Sequence, residues 1–242
     1  MSPARVSIVA SFLLFAACAH AEEPQANASA RQRGDVREVA DFDEVSVSHG
    51  IKAEVKVGPK SVRLEGPEEL LSRITLEVDD GTLRTRVDNK SSLNRFRGSS
   101  VRLYVSSPRV EGIHASGGSR VEADATRTDE FDVGASGGSI INVRGVDARQ
   151  VEAEASGGSQ VTLSGRATDF DAEASGGSIV HALDVRGVKT LDAEASGGSR
   201  VEVDASERVS GEASGGSIIQ LVSQPSQSNV STSGGSRVVY KN

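Results

Sequence analysis

Seven copies of Ser-Gly-Gly-Ser punctuate the second half of this 242-residue chain, and successive copies lie 18 to 21 residues apart. A period near twenty residues is too short for two helices but fits one coil of a solenoid built from strands. The sequence therefore predicts one small unit that is stacked on itself repeatedly. The copies begin at Ser116, Ser136, Ser156, Ser175, Ser196, Ser214 and Ser233.

Alignment of the copies on their first Ser sorts the chain into columns of constant character. The residue just before this Ser is small in every copy, and the residue five positions after it is always β-branched, as buried strand positions prefer. These two columns are predicted to face inward, because a flexible Gly/Ser linker would not keep them in register. Their members are Ala115, Ala135, Ala155, Ala174, Ala195, Ala213 and Thr232, then Val121, Ile141, Val161, Val180, Val201, Ile219 and Val238.

The columns predict an all-β protein whose residues 107–242 form a right-handed parallel β-helix, or β-solenoid, with about seven SGGS coils. Paired glycines suit corners that need left-handed backbone angles where coils stack closely. The Ser rows are expected to exchange hydroxyl hydrogen bonds between coils. Residues seven after the first Ser, up to Tyr240, are expected to complete the inward face.

Residues 36–106 are predicted to form an irregular strand module that precedes the coils and caps one end of the stack. The pair Asp80-Gly81 lies between two alternating runs and predicts a type I′ hairpin turn. The segment Pro67 to Ser72 indicates a short helical turn. Together with the repeats, this module is expected to form one domain over residues 36–242.

Residues 1–21 are predicted to be an export signal, with one charge at Arg5, an apolar run and the small-x-small sequence Ala19-His20-Ala21. The apolar run is too short for a transmembrane span. The single cysteine, Cys18, follows Phe15-Ala16-Ala17 and resembles the lipobox of bacterial lipoproteins, so simple cleavage and lipidation of Cys18 both stay open. Residues 22–35 are a predicted polar linker. The expected location is the periplasm, the outer membrane or the cell surface.

Acidic residues occupy two outward columns, and the whole chain has a net charge of −7. This charge argues against a nucleic acid partner. Carboxylates stacked in adjacent coils, about 5 Å apart, repel by about 1 kcal/mol per pair in water, which invites a cation or a basic partner; Ca²⁺ is the natural candidate cation. The alternative is a solvated acidic face. The proposed metal ligands are Glu154, Glu173 and Glu194 in one column and Asp171 and Asp192 in the other.

A further outward column, four residues after the first Ser, never places Arg in adjacent coils. This spacing is interpreted as a way to keep positive charges apart. It also leaves isoleucines as candidates for an exposed association surface. The column runs Arg120, Ile140, Gln160, Ile179, Arg200, Ile218 and Arg237.

Catalysis finds little support in the residue inventory. A polysaccharide-active β-helix enzyme is an alternative, because paired acids are what glycoside hydrolysis needs. Only six aromatic residues remain after the signal segment, however, and the histidines lack metal spacing. The sequence therefore favours a non-catalytic, exported envelope protein without a cofactor, which acts as a binding, adhesion-like or structural module on an unknown envelope ligand. Calcium-dependent ligand binding is the alternative role.

The segment before the repeats resembles the bacterial family described as putative auto-transporter adhesin, head GIN domain. The residues that carry the resemblance are Val47 to Lys52, Leu70-Leu71, Asp80 to Leu83 and Val101 to Val105. With the Gly/Ser repeats, the likeness covers residues 36–242, and it implies an exported β-solenoid with no catalytic residues. Lys52 stands where the family's Gly-Ile-Asn has Asn. The open edge of the last coil is expected either to self-associate or to be guarded against it by Lys241.

Overall fold

The computed structural model describes residues 34–88 and 101–241, and it is an all-β solenoid of about six turns. The predicted export signal, Cys18 and nearly all of the predicted linker lie outside the described residues. No helix within these two ranges is long and apolar enough to cross a membrane.

Short strands of the predicted irregular module come first, with a single helical turn at the predicted place. Their bounds are β1 Asp35–Val36, β2 Glu44–Val47, β3 Lys52–Val57, β4 Ser61–Glu65, α1 Glu68–Leu71, β5 Ile74–Asp79, β6 Thr82–Val87 and β7 Arg102–Ser107.

The repeat region follows with strands on both sides of every SGGS corner. Their bounds are β8 Gly112–Ala115, β9 Arg120–Asp124, β10 Arg127–Ala135, β11 Ile140–Ala155, β12 Gln160–Arg166, β13 Asp169–Ala174, β14 Ile179–Arg186, β15 Thr190–Ala195, β16 Arg200–Val203, β17 Arg208–Ala213, β18 Ile218–Leu221, β19 Gln227–Thr232 and β20 Arg237–Tyr240.

These strands pair in parallel along two stacks that meet at the corners. The first stack holds the strands that enter a corner, namely β2, β8, β10, the end of β11, β13, β15, β17 and β19. The second stack holds the strands that leave it, namely β3, β9, the start of β11, β12, β14, β16, β18 and β20. The predicted solenoid is confirmed, and its seven SGGS corners delimit about six turns.

Each corner uses its two glycines as predicted. Gly176 and Gly177 have φ angles of 63° and 77°, which side chains with a Cβ rarely adopt. A Cβ on Gly176 would also lie 3.3 Å from the backbone nitrogen of Gly157 in the preceding coil. The coils therefore stack too closely at the first glycine for a larger residue.

The last Ser of the first six SGGS corners is buried and joins adjacent coils, but its partner differs from the prediction. The Ser178 hydroxyl donates to the carbonyl of Ser175 at 2.8 Å and accepts the N–H groups of Gly158 and Ser159, both at 3.1 Å. The serines thus bond to the backbone of the preceding coil and not to one another's hydroxyls. Ser159 and Ser199 repeat the same three bonds.

The inward columns form one continuous apolar core up to the last coil, where Thr232, predicted to face inward, is exposed. The largest side chains, Phe131 and Phe170, are fully buried, and so are Ile141, Val180 and Val201. In the last coil Tyr240 keeps the register of this column beside Leu221, yet it is 40 % exposed, because no described strand covers the outer side of β20.

The N-terminal module continues the stack through a disguised corner. Ser48-His49-Gly50-Ile51 occupies the place of SGGS: Val47 pairs with Ala115, and Lys52 pairs with Arg120. His49 and Gly50 have φ angles of 64° and 75°, and the Gly50 N–H donates to Ser119 Oγ at 3.2 Å. Sequence reasoning missed this corner because only its first Ser and one Gly match the repeat.

Antiparallel strands finish both stacks at the N-terminal end. On the first stack, β6 pairs with β2 and folds back on β5 through Asp80 and Gly81, whose φ angles of 47° and 77° fit the predicted type I′ turn. On the second stack, β7 pairs with β3 and β4, and β1 pairs with β4. Leu71 of α1 and Ile74 are buried against the core.

Candidate functional site

Two rows of carboxylates run along the outward face of the first stack, as the columns predicted. Strand geometry explains the rows, because Ala172 and Ala174 point into the core and Asp171 and Glu173 between them point out. Parallel pairing then places the carboxylates of successive coils side by side. One row is Asp132, Glu152, Asp171 and Asp192, and the other is Glu154, Glu173, Glu194 and Glu212.

A groove of about 390 Å³ follows the second of these rows. It lies along the corners, so its floor is made of the small column and the first Ser of each SGGS. We call this feature the acidic groove. Its lining includes Ala135, Ala155, Ala174, Ala195, Ser136, Ser156, Ser175, Ser196, Glu154, Glu173, Glu194 and Glu212.

The carboxylates of this face are crowded enough to change their ionisation. Burial raises the pKa of Glu173, and the neighbouring Glu154 and Glu194 raise it further. Burial is likewise the main cause that raises the pKa of Glu152, with Asp132 the largest of the charged neighbours. Both groups therefore resist ionisation more than free carboxylates do.

Hydrogen bonding offsets part of this effect at Asp171. Burial raises the pKa of Asp171, and Asp192 adds to the rise. The amide of Gln150 donates to Asp171 Oδ2 at 3.1 Å and lowers the pKa. One carboxylate of the first row is thus stabilised by a neutral donor from the adjacent coil.

An imidazole stands at the N-terminal end of the acidic groove. His114 Nε2 lies 3.8 Å from Asp132 Oδ2 and 3.9 Å from Glu44 Oε2. Gly134 leaves room for the ring, since a Cβ there would lie 2.9 Å from His114 Nδ1. Burial raises the pKa of Asp132 and His114 lowers it. Sequence reasoning missed Glu44 because it comes from the N-terminal module, outside the repeat columns.

The five proposed calcium ligands lie along the two rows, with at most one carboxylate of each row in each coil. Glu154, Glu173 and Glu194 share one row, while Asp171 and Asp192 share the other. Across residues 34–88 and 101–241, no group of three or more His, Cys, Asp or Glu side chains is arranged to hold a metal ion. Calcium binding stays a prediction.

The isoleucines of the alternating Arg/Ile column are only partly exposed. Ile179, for example, lies between Gln160 and Arg200 in the adjacent strands. The expectation of exposed isoleucines is therefore wrong. Large apolar side chains that are exposed in the described ranges lie elsewhere, at Val36, Val57, Val222 and Tyr240.

The same solenoid occurs in solved bacterial structures. A putative adhesin from Bacteroides fragilis matches with a TM-score of 0.74 and 16% identity, over 86% of this chain and 95% of that chain. A putative lipid binding protein from Parabacteroides distasonis matches with a TM-score of 0.65 and 14% identity, over the same shares. At such low identity these structures support the fold alone. No curated protein matches the chain.

Family membership follows from the sequence. The model of the family described as putative auto-transporter adhesin, head GIN domain matches residues 41–225, which include the disguised corner and six of the seven SGGS copies. Since this match spans most of the chain, the protein belongs to the head GIN domain family of putative auto-transporter adhesins.

Proposed function

We propose that this protein is an exported, non-catalytic binding module of the cell envelope, and that the acidic groove takes cationic ligands. The observation that carries the proposal is how few of the eight carboxylates in the two rows have a cationic partner. Across the described ranges, no Lys or Arg side chain forms an ion pair with any of them, and only His114 lies near one. The charge of this face is therefore left for a ligand to neutralise.

The form of the groove suits an elongated ligand. Carboxylates of successive coils lie one strand spacing apart, about 4.8 Å, so an extended polycation meets a new negative charge at every coil. The small Ala and Ser floor lets a chain approach the rows closely. Adhesin names among the relatives and the export signal predicted for residues 1–21 support an envelope role.

Calorimetric titration of the full chain with spermine and with an oligolysine peptide tests this role. The triple variant E154Q/E173Q/E194Q removes three charges from the groove. It should lower the affinity for both ligands about tenfold or more, at about 0.5 kcal/mol or more for each lost ion pair with the ligand. The control E38Q/E68Q/E69Q removes three exposed charges away from the groove and should bind like the wild type. Equal weakening by both variants would show that only net charge matters.

Calcium is the second candidate ligand of the same face. Two carboxylates in adjacent coils are one strand spacing, about 4.8 Å, apart. One Ca²⁺ between them can contact an oxygen of each at about 2.3 to 2.6 Å, with water as the remaining ligands. With a Kd of about 1 mM, 10 mM calcium would stabilise the protein by about 1.4 kcal/mol. The melting temperature should then rise with calcium in the wild type but not in E154Q/E173Q/E194Q. A melting temperature that ignores calcium would exclude this candidate.

Absence of catalysis is part of the proposal and has its own test. A polysaccharide-active enzyme would release reducing or unsaturated ends from anionic polysaccharides. We expect the full chain to release none, because its carboxylates form rows of like residues and not an isolated acid and nucleophile pair.

A further inference from the structure

We propose that a second site, on the outward face of the second stack, binds linear anionic polysaccharides. Its core is a set of three cations that we call the basic row: Arg102 on β7, Lys52 on β3 and Arg120 on β9. Parallel pairing aligns Lys52 with both arginines, so the three side chains stand on adjacent strands in register. All three are exposed.

This row corrects the expectation that positive charges avoid adjacent positions. The alternation of Arg with other residues holds within the SGGS copies, but the column continues into the N-terminal module, where Lys52 and Arg102 extend it. Like charges about 4.8 Å apart repel each other even in water. In a chain with a net charge of −7, three neighbouring cations stand out against the composition.

The basic row has no carboxylate partner in the structure as described. None of its three members forms an ion pair within 4 Å, whereas each nearby carboxylate is engaged by a different cation. These pairs are Lys56 with Glu54, Arg63 with Glu65, and Arg144 with Glu122. Nearby carboxylates are therefore paired with other cations, and the positive charge of the basic row is available to an external anion.

A shallow depression of about 190 Å³ is lined by the three cations of the basic row and by Glu54 and Glu122, the two carboxylates that Lys56 and Arg144 pair with. Tyr104 lines it, and the Arg63 guanidinium lies 4.4 Å from the centroid of the tyrosine ring. The Tyr104 hydroxyl is the main cause that raises the pKa of Arg102. Evenly spaced cations next to an aromatic ring fit a chain of sugars in which successive units carry carboxylates.

Other polyanions fit this face less well. Docking on a lipid surface needs apolar side chains that insert between headgroups, and the exposed apolar residues of the described ranges, such as Val57 and Val222, do not line the depression. A nucleic acid concentrates phosphates along its whole length, which the acidic remainder of the protein repels. A polysaccharide with one charge per sugar meets less of this repulsion.

Calorimetric titration of the full chain with polygalacturonate at low salt tests the proposal. The variant K52Q/R102Q/R120Q should bind about 10- to 100-fold more weakly, and its affinity should depend less steeply on salt. The control R166Q/R186Q/R208Q makes the same change in net charge at other exposed arginines and should keep the wild-type affinity. The charge-preserving variant K52R should also keep it.

Several results would overturn the proposal. These are no binding of polygalacturonate by the wild type, equal weakening in the control, or equally tight binding of neutral dextran, anionic vesicles or duplex DNA. Circular dichroism of each variant verifies that the exposed substitutions leave the fold intact. Because the basic row and the acidic groove lie on different stacks, E154Q/E173Q/E194Q should not lower the affinity for polygalacturonate. The two proposals can therefore fail separately.

Discussion

The buried serine of each corner gives the sharpest test of how the coils hold together. In Ser178→Ala the hydroxyl is lost, and with it three hydrogen bonds: one to the Ser175 carbonyl and two from the N–H groups of Gly158 and Ser159. Ser178 is fully buried, so water cannot easily replace the hydroxyl. The substitution therefore leaves backbone groups of two coils without partners.

The expected cost follows from these bonds. A net loss of about 1 kcal/mol for each of three hydrogen bonds gives about 3 kcal/mol, and unsatisfied buried N–H groups can raise this value. In a protein of this size such a loss lowers the melting temperature by about 6 to 12 °C. The melting temperature and the urea midpoint, both followed by circular dichroism of the strands, measure this loss.

The chain supplies a matched control within the same corner. Ser175 is exposed and takes part in the corner through its backbone: its carbonyl accepts from the Ser178 hydroxyl, and its N–H donates to the Ala155 carbonyl at 2.9 Å. Ser175→Ala should therefore change stability by less than about 0.5 kcal/mol. Equal effects of the two substitutions would refute the view that the last serine joins the coils. A large effect of Ser178→Ala with a shallower urea transition would show that the stack separates at this corner.

Three further predictions concern the groove, the glycines and the core. Glu173→Gln should stabilise the protein by up to about 1 kcal/mol at neutral pH and low salt, and less at physiological salt. Because the folded pKa of Glu173 is raised, its ionisation lowers stability as pH rises from the unfolded to the folded pKa; the variant should lose this decline in urea melts across pH. Gly211→Ala should cost far more than Gly177→Ala in urea midpoint, because its Cβ would lie 2.1 Å from the Ala193 carbonyl oxygen while that of Gly177 meets nothing within 4 Å. Phe170→Ala should cost about 3 to 5 kcal/mol in thermal melts, because it empties a fully buried site.

The period explains how much of this fold could be read from the sequence. A fixed spacing to the corner sets the register, and register sets which residues face inward, so Val180 and Glu173 could be placed without coordinates. The disguised corner at Ser48 could not, because His49 tolerates the left-handed angle that Gly supplies elsewhere. Ile51 there takes the place of the joining serine.

Contacts between the module and the repeats were beyond the sequence for the same reason. His114 meets Glu44, and Arg120 meets Lys52, across about 70 residues for which no period predicts the alignment. Both functional hypotheses gained from these contacts. The first contact places the His114 imidazole at the end of the acidic groove, and the second aligns Arg120 with Lys52 in the basic row.

Variation in repeat length is confined to the side of the coil that carries neither proposed site. From the inward residue seven after one first Ser to the position five before the next, the interval varies from 6 to 9 residues, while the corner and its flanking strands keep constant spacing. The register shifts of β11 and β12 fall at the start of this return segment, between Val143 and Val146 and between Thr162 and Ser164. The serine bonds of each corner follow directly after the carboxylates of the same coil and hold adjacent coils in alignment there. The acidic rows can therefore stay straight although the coils differ in length, and a ligand that spans several coils requires that constancy.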